Sequence, residues 1–292
     1  MNRLQAALTL RILCALTAIG ALGTIASCAD APIQRAAGVE RLYVLFCGEG
    51  TAADRSRWSP GVDVGKPITL ANSCYLIKHA KGWMLWETGF NESIATMKDG
   101  FPTPVLHWRW NAHKSLTGQL ADLGLKPADI SHLGFSHAHQ DHIGNGSLFA
   151  AGTLYIQQAE YDFYLGPKGK PPSIPANFDK LRDSKRVTLN GDHDIFGDGS
   201  VTIISTPGHT PGHQSLLLKL PKTGAVLLTG DAAHFQENFN QRRSPVQNAN
   251  REQTLQSMDK IAAVAAANKA QIWINHDVDQ TAKLKKSPAY IE

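Results

Sequence analysis

The sequence predicts a mixed α/β chain, and the grouping of its strands fits two sheets sandwiched between helical layers. Nine short apolar runs carry that expectation. Residues 42–47, 74–78, 83–87, 130–135 and 153–156 form one group, and 201–204, 215–220, 225–229 and 271–275 form a second. Their shortness and their aliphatic and aromatic content suit buried strands better than helices. Helical patterns lie between them at 115–123, 159–164 and 251–267. Two irregular stretches interrupt the series: 58–70, with Pro60, Gly61, Gly65 and Pro67, and an aromatic loop over 101–110.

The strand ends carry the chemistry. The run 130–135 leads into His137-Ala138-His139-Gln140-Asp141-His142, followed by Gly144 and Gly146. A turn at a strand end lets neighbouring side chains converge, so three imidazoles and a carboxylate at this spacing read as a metal-binding cluster. A histidine-rich surface loop is the bland alternative, hard to sustain for four ligand positions. His209 follows the run 201–204 within Ser205-Thr206-Pro207-Gly208-His209-Thr210-Pro211-Gly212-His213. Asp231 follows 225–229, and His276 follows 271–275. All seven residues stand at the C-terminal ends of strands, where a rigid sheet can hold several loops on one site. Imidazole and carboxylate donors without cysteine suit Zn, Mn, Fe or Co.

This pattern resembles the metallo-β-lactamase superfamily, whose dinuclear hydrolases carry a His-x-His-x-Asp-His loop, then a histidine, a bridging aspartate and a final histidine. Within it the chain is similar to bacterial N-acyl homoserine lactonases from about Leu42 onward, on the stretches 136–144, 205–216, 226–233, 237–239 and 275–277. The resemblance implies the four-layer αβ/βα metallo-β-lactamase sandwich. It implies that His137, His139 and His209 hold one divalent ion, that Asp141, His142 and His276 hold the other, and that Asp231 bridges them. Zinc is the default ion.

The same resemblance implies opening of the lactone ring of N-acyl homoserine lactones. A hydroxide shared by the two ions attacks the carbonyl carbon, and Asp141, besides ligating, relays a proton to the leaving alkoxide. Another lactone or ester, or a β-lactam in the periplasm, fits the same fold. A non-enzymatic lipoprotein that stores metal is the reading outside enzymes. A full ligand set that leaves coordination open for water argues against it.

One position departs from the lactonase pattern. Those enzymes place a tyrosine three residues after the bridging aspartate, where this chain has His234. Neutral imidazole has one N–H to donate to a carbonyl or oxyanion, which makes His234 a catalytic candidate; a supporting or surface histidine is the alternative. Glu87 stands where many superfamily members have aspartate, as a support for the metal loop. His213 has no place among the ligands and reads as a packing or supporting residue. His79, His107, His113, His132 and His193 read as ordinary histidines. Phe101, Leu106, Trp108 and Trp110 either line a groove for an acyl chain or cap the core, and 58–70 forms the opposite wall.

At the N-terminus, Arg3 and Arg11 precede an apolar run over 12–25, the layout of a bacterial secretory signal and short for a membrane span. Ile25-Ala26-Ser27-Cys28 fits a lipobox, which divides the chain into a leader (1–27), a linker (28–40) and one domain (41–292). Lipid on Cys28, with Ala29 behind it, then implies export and attachment to the outer membrane facing the periplasm; cleavage near Ala29 or Ala31 is the alternative. Arg3 and Arg11 leave with the leader, so 27 basic residues stand against 25 acidic ones. That balance offers no electrostatic case for nucleic acid. Cys47 and Cys74 remain, either paired in an oxidising compartment or as two buried thiols.

Overall fold

The computed structural model describes residues 38–110, 114–169 and 179–292. The expected leader, Cys28, the linker up to residue 37 and His113 lie outside the described residues. One sheet contains β1 (Val39–Ala52), β2 (Ile68–His79), β3 (Gly82–Trp86), β4 (Phe101–Pro102), β5 (His107–Arg109), β6 (Ile130–Gly134), β7 (Thr153–Gln157) and β8 (Arg186–Leu189), in the order β4-β5-β1-β2-β3-β6-β7-β8. The other contains β9 (His193–Asp194), β10 (Val201–Ser205), β11 (Gln214–Leu220), β12 (Gly224–Leu228) and β13 (Gln271–Trp273), in the order β13-β12-β11-β10-β9. The helices are α1 (Leu116–Asp122), α2 (Gln140–Ile143), α3 (Gln158–Glu160), α4 (Asp179–Arg182), α5 (Gln236–Asn240), α6 (Arg251–Asn268) and α7 (Val278–Thr281).

Strand periodicity explains why these runs are apolar on both faces. Leu42 and Val44 of β1 and Ile77 of β2 point at Val201, Ile203, Leu216 and Leu218 of the other sheet. Leu45 and Leu76 point the other way, against Leu116 and Leu120 of α1. In the second sheet Leu217 and Leu227 likewise face Ile261 and Ala265 of α6. The result is helix, sheet, sheet, helix, the expected four layers. Each such buried aliphatic side chain contributes roughly 1.5–3 kcal/mol. Asn250 caps α6 by accepting from Gln253 N, and Ser115 caps α1 by accepting from Gly118 N.

All nine expected strands form, with shifted ends. Strands β1 and β2 run on past their apolar runs, pairing Gly50 with Leu70 and Thr51 with Thr69, so residues 68–70 are strand rather than irregular. Glycine at 50 hid this extension, and the Trp108 ring lies over it: a Cβ there would stand 3.0 Å from the indole. Trp108 stacks on Phe90 and Trp110 packs edge-on to Phe46, both almost fully buried, so these tryptophans cap the core and do not line a groove. Strands β4, β5, β8 and β9 are too short to show a period and depend on pairing with a neighbour. The helical pattern at 159–164 becomes α3 followed by a π-turn over Tyr161–Leu165. Cys47 and Cys74 are joined in a buried disulfide that ties β1 to β2. Among the described residues no helix is long and apolar enough to cross a membrane.

Candidate metal centre

Loops at the C-terminal ends of β6, β10, β12 and β13 bring all seven expected ligands into one buried site. On one side, His137 Nε2, His139 Nδ1 and His209 Nε2 lie 2.8–3.2 Å from one another. Tetrahedral donors about 2.0–2.1 Å from a shared zinc ion stand roughly 3.4 Å apart, so the triangle has the size of a coordination face. Burial pushes His139 down to about 4, and His137 and His209 well below the ordinary imidazole range. These rings are neutral, the form that ligates.

On the other side, Asp231 Oδ1 is 3.1 Å from His276 Nε2 and 3.4 Å from His142 Nε2. Asp141 Oδ2 is 3.6 and 3.7 Å from the same two nitrogens. The second oxygen of Asp231 turns back to the first side, 3.4 Å from His209 Nε2 and 3.8 Å from His137 Nε2. One carboxylate therefore faces both groups. Burial opposes a proton on His142, yet the charges of Asp231, Glu87 and Asp141 outweigh it and raise its proton affinity well above normal. Burial likewise opposes ionisation of Asp231, but His276, His234 and His142 hold its carboxyl well below the usual range. His142 Nε2 and Asp231 Oδ1 are buried without a hydrogen-bond partner. Leaving such atoms bare costs about 1–3 kcal/mol each, and a cation between them removes that cost. The residues present fit bound metal.

The model of the metallo-beta-lactamase superfamily matches residues 68–267. The chain belongs to that superfamily. It is a metal-dependent hydrolase, similar to the N-acyl homoserine lactonase AttM of Azorhizobium caulinodans, with 34% identity over 80% of this chain and 90% of that protein. An N-acyl homoserine lactonase of Bacillus cereus is 30% identical over 87% of this chain and 99% of its own length. Among solved structures, an N-acyl homoserine lactone hydrolase with the product N-hexanoyl-L-homoserine at its catalytic metal center superposes with a TM-score of 0.76. It is 28% identical and covers 87% of this chain and 100% of its own.

Supporting residues hold this superfamily site in place by using the far nitrogen of each ligand ring. His137 Nδ1 meets Ser136 Oγ at 3.0 Å, His139 Nε2 meets Tyr164 Oη at 3.1 Å, and His209 Nδ1 meets Asn248 Oδ1 at 2.9 Å. His276 Nδ1 donates to the Ala71 carbonyl at 2.7 Å. Glu87 fills the role expected of it: Oε1 accepts from Ser136 N at 3.0 Å and Oε2 lies 3.2 Å from His142 Nδ1. Its backbone is left-handed, with φ of 65°, held by hydrogen bonds from Glu87 N to Gly134 O and from Thr88 N to His142 O. Gly230, before Asp231, is also left-handed, and a Cβ on it would stand 2.4 Å from Ser136 Cβ.

Several supports escaped sequence reading. Glu160 Oε1 accepts from Ala138 N at 2.7 Å and Oε2 from Gly212 N at 3.0 Å, so one buried carboxyl joins the two ligand loops. Burial pushes that carboxyl up to about 7. Gln214 Nε2 donates to the carbonyls of Phe135 and Tyr155, binding the second sheet to the first beneath the site. Asn72 Nδ2 donates to the Asp141 carbonyl at 2.6 Å. A polar residue bordering an apolar run was the available signal for Gln214; Glu160 had none, because its partners are distant in the chain. Of the remaining histidines, His79 is buried against Asp198 at 2.9 Å, and His132 meets Ser131 Oγ at 2.9 Å. Neither joins the centre.

Proposed function

We propose that this enzyme opens the lactone ring of N-acyl homoserine lactones with two divalent ions, zinc by default. His137, His139, His209 and Asp231 Oδ2 hold one ion, and Asp141, His142, His276 and Asp231 Oδ1 hold the other. The observation that carries this reading is the orientation of Asp231, whose two oxygens face two separate donor groups. The chemistry such a pair of ions supplies is an acidified water as nucleophile and positive charge for a developing oxyanion. Asp141 is only partly buried, with 15% of its side chain accessible. That opening lets its carboxyl meet the ring oxygen as well as an ion, and it carries the proton to the leaving alkoxide. The buried supports keep the other ligands from moving while charge builds. The substrate class rests on similarity to proteins named as lactonases.

The test is proton release by metal-loaded protein with short- and long-chain acyl homoserine lactones beside a cephalosporin. Lactone-dependent acid release abolished by chelator is the expected result. Turnover of the cephalosporin alone overturns the substrate and keeps the site. We also propose, from the lipobox at residues 25–28, that lipid on Cys28 anchors the enzyme at the periplasmic face of the outer membrane. The Cys47–Cys74 disulfide supports an oxidising compartment. Labelling with a palmitate analogue, lost in Cys28→Ala, tests the anchor.

A further inference from the structure

His234 lies within the centre but outside both donor groups. Its Nε2 is 3.1 Å from Asp231 Oδ2, the oxygen that also faces His209 Nε2 at 3.4 Å. His209, Asp231 and His234 offer ligand atoms that all lie within 4.8 Å of one another. The His234 ring is stacked on His276, with centroids 5.4 Å and planes 19° apart, and meets His209 edge-on at 5.4 Å. Trp58 stands on another side at 6.5 Å, and the residue is 1% exposed. A surface role is therefore ruled out. The other ring nitrogen, Nδ1, is buried without a hydrogen-bond partner.

We propose that His234 is an additional metal ligand on the His137–His139–His209 side, and not the oxyanion donor expected at that position. The inference rests on the two-ion reading above. An imidazole has two nitrogens, and one of them, Nε2, is committed to the Asp231 carboxylate. With the proton on Nδ1 the Nε2 lone pair is free to ligate, and it faces the Asp231 Oδ2 lone pair at 3.1 Å, a repulsive arrangement unless a cation lies on both. An ion already held by Asp231 Oδ2 and His209 supplies that partner. Imidazole is also shorter than phenol. It reaches the carboxylate and has no N–H left to aim at a substrate oxygen from the same atom.

The two ions then differ in kind. One has four imidazoles and a carboxylate oxygen; the other has two imidazoles and two carboxylates. The nitrogen-rich side prefers Zn, Co or Ni, and the oxygen-richer side accepts Mn more readily.

The experiment is titration of the metal-free protein with Co(II), read by its visible d–d bands, for wild type, His234→Phe and His234→Tyr. The tyrosine variant carries the residue that similar lactonases accommodate, which guards against a folding failure. The expected result is that both variants change the bands of one Co(II) equivalent and weaken that equivalent about 10- to 100-fold, leaving the second equivalent as it was. Two equivalents bound with bands and affinities indifferent to residue 234 overturn this inference alone. No Co(II) bound by the wild type overturns the two-ion reading with it.

Discussion

The backbone N–H of Asp231 donates to Nε2 of His213 at 3.0 Å. The opposite nitrogen of His213 donates to the Thr206 carbonyl at 2.9 Å, which makes Nε2 the unprotonated acceptor. Burial lowers the ring's proton affinity to about 3, so this tautomer persists through any working pH. A histidine with no place among the ligands thus sets the position of the carboxylate that faces both donor groups.

His213→Phe keeps the ring volume but strands the Asp231 N–H and the Thr206 carbonyl. Metal affinity is expected to fall about 10- to 100-fold, as for other supports of ligands, with stability lower by about 1–3 kcal/mol. Competition with a chromophoric chelator measures the first and urea unfolding the second. Wild-type metal affinity in the variant would remove His213 from the site's support.

Asp141→Asn separates ligation from proton transfer. The amide oxygen still coordinates, but the side chain no longer accepts a proton. Turnover is expected to fall by about 100-fold or more while bound metal per chain changes little. Equal loss of both leaves Asp141 as a ligand only.

Lys286 governs a pH dependence of stability. Burial lowers its ammonium from 10.5 to about 8. Below pH 8 both folded and unfolded chains are protonated and the folded state bears the full desolvation cost. Between about 8 and 10.5 the unfolded chain binds more protons, so stability contributed by this residue rises with pH. At about 1.4 kcal/mol per pH unit the upper bound is roughly 3 kcal/mol. Lys286→Met is therefore expected to raise Tm at pH 7 and to lose that advantage towards pH 10.5. An advantage independent of pH would assign it to packing.

The Cys47–Cys74 bond closes a 27-residue separation between β1 and β2. Replacing both cysteines by alanine is expected to cost about 2–4 kcal/mol of stability in urea unfolding. Both sulfurs are shielded from solvent, so reductant plus an alkylating agent should label them only after unfolding. Rapid labelling of the native protein would contradict that burial.

Much of the site was legible because its ligands follow apolar runs directly. His137, His139, Asp141 and His142 follow β6, and His209, Asp231 and His276 each follow a strand of the second sheet. Glu160 was not legible, since nothing near it in the chain announces contact with Ala138 and Gly212. The tryptophans at 108 and 110 were ambiguous for a related reason. Aromatic rings suit a groove and a core equally, and only the rings of Phe90 and Phe46 decide between them.

By itself, then, the sequence determined the donor inventory and the two-sided burial of the strands, because residue type and short-range period are local properties. Tertiary structure alone decided that Cys47 pairs with Cys74, which oxygen of Asp231 faces which donor group, and that His234 Nε2 ends 3.1 Å from one of them. Those outcomes depend on how the two sheets pack, which fixes distances of a few ångströms between residues far apart in the chain.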